Sequence, residues 1–96
     1  MHHDDLQNLA DAVSLATGIP IEELFCRNKT LPYSMARGVF FMLAREYCSS
    51  LTTIAKFSQR HHTTCHVLAE RYRGYYESKD KQVCLMVEAV MERMNK

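Results

Sequence analysis

The sequence predicts an all-α protein, a compact bundle of about six helices that contains a helix-turn-helix. Three observations predict it. Apolar residues recur three and four positions apart along nearly the whole chain. Only two prolines and three glycines interrupt its 96 residues. No β-branched run alternates with polar residues over the length a strand needs.

Leu6, Leu9, Ala10, Val13 and Ala16 make the first stripe and predict a helix over about 3–17, with Gly18 as its stop. Pro20 can open a short helix, PIEELF, with Glu22 and Glu23 in its first turn, where the helix dipole favours acids. CRNKTLPY is polar, basic and closed by a proline, so it reads as a loop. A long helix is expected from Tyr33 to Cys48, its apolar face made by Ala36, Val39, Phe40, Leu43, Ala44 and Tyr47. Ser49 and Ser50 break it, and Ser50 can cap the helix LTTIAKF, with Leu51, Ile54, Ala55 and Phe57 inward. SQRHH is a turn. The next helix is expected over His62–Tyr76, with Cys65, Leu68, Ala69, Tyr72 and Tyr76 inward. The last carries Val83, Met86, Val87, Val90, Met91 and Met94 on one face. Nothing in the chain marks a linker or a repeat, so a single domain over residues 1–96 is expected.

Composition narrows the class. Hydrophobic residues at 47% and charged residues at 24% fit a folded globular domain. No apolar run reaches the roughly 20 residues that a membrane helix needs, and the acidic start does not read as a signal peptide. A soluble cytoplasmic protein without membrane contact is expected. Its four cysteines are far apart and expected to be reduced thiols. The net charge of +1 hides a strong asymmetry. Residues 1–26 hold five acids and no Lys or Arg, whereas residues 27–73 hold eight Lys or Arg against two acids. A basic middle of this kind points to a polyanionic partner.

The stretch SQRHHTTCHVLAERYRG gathers the chemistry-bearing residues. His62 and His66 lie four apart, with His61 and Cys65 close by, a set zinc accepts. Against zinc, Cys65 falls on the apolar face and no second cluster accompanies it. A Cys–His catalytic pair would need a pocket, an orienting group and an oxyanion site, none of which the sequence signals. There is no phosphate-binding G-x-x-x-x-G-K-[ST] loop. No cofactor is implied and no enzyme is expected. The third reading is DNA contact. Arg60, His62, Thr63 and Thr64 open the second helix of the helix-turn-helix, the end that enters a major groove. Arg pairs with guanine, and threonine touches thymine methyls or phosphates. The plain alternative is a solvated helix start.

Three anchors in order resemble a known family. These are VSLATGIPIEELF, then CRNKTLPYSMARGVFFMLAREYCSSL, then IAKFSQRHHTTCHVLAERY. The last resembles the signature I-G-x-x-F-G-G-R-D-H-T-T-V-x-H-A. The chain, from about Leu6 to Met94, resembles domain IV, the C-terminal DNA-binding domain of the bacterial replication initiator DnaA. The resemblance implies double-stranded DNA as partner, with a helix-turn-helix in the major groove and a basic loop in the adjacent minor groove. It assigns His62, Thr63 and Thr64 to base reading, Lys29 to the minor-groove arginine's place, Arg37 and Arg45 to backbone contacts, and Arg60 to the signature arginine. Departures accompany it. His61, which the resemblance also places among the DNA-contacting residues, replaces the signature aspartate, so a base-reading acceptor is missing; Ser58-Gln59 replaces a glycine pair, and single-residue deletions are needed before Leu51 and before Phe57. The family's ATPase and partner-binding domains have no counterpart in these residues.

The expected function is therefore a sequence-preferring duplex-DNA-binding module in replication initiation or its control, without ATPase activity. The rival is a protein-interaction module that keeps the fold but has lost specific DNA binding. In it Met86, Met91 and Met94 would form a partner groove or a dimer seam, although such a stripe more often covers the core.

Overall fold

A computed structural model describes residues 3–47 and 50–94. Among them are six helices and no strand: α1 His3–Thr17, α2 Ile21–Leu24, α3 Leu31–Tyr47, α4 Leu51–Ser58, α5 His62–Glu77 and α6 Lys81–Met94. The expected helix end at Cys48 and the break at Ser49 lie outside the described residues.

The hub is α3. Ten consecutive residues, Met35–Ala44, are buried. A helix buried on every side is one wrapped by its neighbours: α3 packs against α5 and α1 most extensively, and also against α2, α4 and α6. Leu6, Leu9, Phe40, Phe41 and Ile54 are fully buried. Each contributes roughly 1.5–3 kcal/mol through removal of apolar surface from water. Phe25, Phe40 and Phe57 form an aromatic cluster in which Phe25 meets Phe40 edge-on at 5.0 Å and Phe40 stacks on Phe57 at 5.9 Å. The cluster ties the segment after α2 to both α3 and α4.

Local signals explain most of the element ends. Gly18 adopts φ +77° and returns its N–H to the Ser14 carbonyl, closing α1. α3 begins at Leu31, two residues before the expected start, with Pro32 in its first turn. A first-turn N–H has no helical acceptor, so a proline there loses nothing. Asn28 accepts the Thr30 N–H at 2.9 Å, and the Thr30 carbonyl accepts the Ser34 N–H, which starts the helix. Ser50 caps α4, accepting the Thr53 N–H at 3.2 Å. Asp80 does the same for Val83 at 3.0 Å and opens α6. Tyr47 and Tyr76, expected inward, are 36% and 40% exposed. Both lie near helix ends, where the core no longer covers the face.

The helix-turn-helix is α4, a three-residue turn and α5. Ser58 belongs to α4 rather than to the turn and is buried, its hydroxyl donating to the Ile54 carbonyl and lying 3.8 Å from the Cys65 thiol. Its small side chain lets α5 approach. Gln59 is left-handed, with φ 57° and ψ 37°, and the Arg60 N–H reaches back to the Ala55 carbonyl. That six-to-one bond closes the helix. A left-handed residue with a Cβ is strained, and glycine is not. Gln59→Gly is expected to stabilise the protein by about 0.5–1 kcal/mol after the extra unfolded-state entropy is counted. A urea midpoint that falls instead would show that the glutamine side chain holds the turn.

Candidate nucleic-acid interface

The site is built on the loop between α2 and α3. Its residues carry exposed cations, Arg27 and Lys29, on a backbone held from two sides. From α3, Arg37 donates through Nη1 to the Cys26 carbonyl at 2.9 Å and the Leu24 carbonyl at 3.4 Å, and through Nη2 to the Asn28 carbonyl. From the helix-turn-helix, Arg60 Nη2 donates to the Phe25 and Cys26 carbonyls, each at 2.6 Å. The carbonyls past a helix's last turn lack helical partners and attract cations. Two guanidinium groups supply this for α2 and in doing so fix the loop to α3 and to the turn.

The tip of α5 is the second component. His61 caps the helix, its Nδ1 accepting the Thr63 N–H at 3.2 Å. The rings of His61 and His62 stack at 4.5 Å. His61, His62, Thr63 and Thr64 are all exposed. Behind them Cys65 is fully buried, and burial pushes its thiol up from the usual range.

Between loop and tip runs a cleft of about 690 Å3 lined by Arg27, Lys29, Ser34, Arg37, Gln59, Arg60, His61, Thr64, Leu68 and Arg71. Thr64, Leu68 and Arg71 are spaced four and three apart, so one face of α5 forms one wall. Five of the lining residues are Lys or Arg and none is acidic.

A family model described as the bacterial DnaA protein helix-turn-helix matches residues 6–68, about two thirds of the chain. The chain belongs to the DnaA helix-turn-helix family. No curated protein and no solved structure gave a significant match. Membership makes the chain one of a DNA-binding family rather than a catalytic one, and none of the described helices is long and apolar enough to cross a membrane.

The structure sets the residues assigned by resemblance to DnaA in three groups. Lys29, Arg60, His61 and Thr64 border the cleft, with His62 and Thr63 exposed beside it on the first turn of α5. Arg37 also reaches the cleft, yet it is only 6% exposed. Its guanidinium is committed to loop carbonyls inside the protein. Arg45 is not brought to the cleft, standing eight residues beyond Arg37 on α3, about 12 Å along the axis. Two cleft cations, Arg27 and Arg71, were not singled out by sequence reasoning. The spacing of Arg71 from Thr64, seven residues, was the available signal. Arg73 is paired with Glu46.

The departures from the DnaA pattern have local consequences. Gln59 takes the left-handed turn position within the replaced glycine pair. The deletion before Phe57 leaves α4 unbroken. His61, in the aspartate's place, caps α5. Among the described residues no three His, Cys, Asp or Glu gather as a metal site. His62 and His66 face solvent while Cys65 faces Ser58, so the residues of the zinc and Cys–His readings point apart. On α6, Met86, Met91 and Met94 are partly buried against the core and line three separate hollows rather than one groove.

Proposed function

We propose that this chain is a sequence-preferring duplex-DNA-binding module, a single domain without ATPase or other catalysis, acting in replication initiation or its control. The tip of α5 reads the major groove through His62, Thr63 and Thr64, and the Arg27–Lys29 loop lies along the adjacent minor groove. The observation that carries this reading is the acid-free cleft in which the basic loop and the exposed α5 tip meet. Arg37 and Arg60 act as positioning residues that hold the two together. Family membership supports DNA as the partner.

The test is a selection of bound duplexes from a random library, followed by titration of the enriched box at several salt concentrations. An enriched short motif is expected. Counting the cleft cations Arg27, Lys29 and Arg71 as phosphate contacts, log K should fall with log salt at a slope of about −2.7. Lys29→Ala should reduce that slope by about 0.9. Absence of any motif, with weak binding at low salt, would overturn the reading. One observation then favours a protein-interaction module: Leu31 and Leu85, 59% and 56% exposed, border an apolar groove with Met35 and Met86.

A further inference from the structure

The hydrogen bond at the start of α5 decides what His61 can offer a base. A neutral imidazole has one N–H donor and one acceptor nitrogen, and the partner of one fixes the state of the other. The Nδ1 lone pair of His61 is occupied by the Thr63 N–H at 3.2 Å. The proton therefore sits on Nε2. The outer edge of the ring thus donates and does not accept. Stacking on His62 at 4.5 Å limits the ring's rotation, and His61 is exposed on the cleft between the α5 tip and the basic loop. Major-groove edges divide on this property. Guanine offers two acceptors, O6 and N7, thymine offers O4, adenine offers N7 beside an amino donor, and the cytosine edge offers an amino donor alone.

We infer that His61 is a specificity-determining residue, which selects through Nε2–H for an acceptor-bearing base, guanine first, at one position of the recognition box. The inference rests on the proposed DNA-reading function. Two isosteric replacements test it without removing the cap, since Asp and Asn are both favoured at helix starts. His61→Asn can cap with its carbonyl oxygen and still present an amide donor. His61→Asp caps with one oxygen and presents the other as an acceptor only. Motifs are selected separately with the parent and both variants, and matched boxes that differ at one base pair are then titrated.

The parent and His61→Asn should both disfavour cytosine at the same position, the parent taking guanine first. His61→Asp should prefer cytosine or adenine there, with a change in discrimination of about 5- to 100-fold. Identical letters at every position in all three motifs would overturn the inference while leaving the DNA-binding function intact. A parent that selects no motif would overturn the function and the inference together. Thermal melts confirm folding; should His61→Asp not fold, His61→Ala replaces it, and a guanine preference that survives in His61→Ala likewise overturns the inference.

Discussion

Gly38→Ala is expected to cost the protein about 2 kcal/mol or more and to lower its melting temperature by roughly 8–16 °C. An alanine Cβ at this position would stand 2.2 Å from Cδ1 and Cε1 of Tyr72 and 2.6 Å from Cγ. Tyr72 is 8% exposed and meets the Tyr75 ring edge-on at 5.1 Å, so it has little room to turn aside. The relief available is to separate α3 from α5, the most extensive helix pair in the fold. Alanine's better helix propensity returns about 0.5–1 kcal/mol, less than overpacking of this severity costs. Gly74 supplies the control. It lies in α5, is exposed and has nothing within 4 Å of an added Cβ. Gly74→Ala should stabilise by about 0.5–1 kcal/mol through propensity alone. Equal and positive shifts in the two melts would mean that Tyr72 does not press on Gly38.

Gly38 also shows where the sequence stops being readable. Periodicity marks which residues of a helix turn inward, and on that basis α1, α4, α5 and α6 were legible, as were the Ser50 cap and the Gly18 stop. It does not say what stands opposite. That Gly38 faces Tyr72 depends on how two helices 34 residues apart cross, and no local pattern encodes it. The candidate site divides in the same way. The α5 tip was readable because a turn, a polar first turn and an apolar stripe all lie in one short segment. The fates of the arginines were not. Arg37 and Arg60 look like surface cations in sequence, and only the tertiary arrangement brings them to the carbonyls of residues 24–28. Arg27 and Arg71 lie on different elements, and their meeting at one cleft is likewise a product of packing.

The Arg37 clamp leads to a result that separates positioning from contact. Burial, and then the neighbouring Arg60 charge, pull Arg37 below the usual guanidinium range, so the site disfavours the cation it holds. Bonds to the carbonyls of Leu24, Cys26 and Asn28 offset this. Hydrogen bonds to charged groups are worth about 1.5–3 kcal/mol each, and carbonyls left bare in the interior carry a further cost. Arg37→Met keeps the length of the stem and removes the donors. It is expected to destabilise by about 2–4 kcal/mol. Arg37→Lys should rescue little of this, because one ammonium cannot span carbonyls that a planar guanidinium reaches from two nitrogens. DNA affinity should fall at least about tenfold, one factor of ten being about 1.4 kcal/mol, since the loop that carries Arg27 and Lys29 loses its attachment to α3. The salt slope is the discriminating readout. A lost phosphate contact removes about 0.9 from it, as expected for Lys29→Ala, whereas a lost positioning group weakens binding with the slope nearly unchanged. An Arg37→Met protein that melts with the parent, or whose slope drops by a full contact, would put Arg37 back on the DNA.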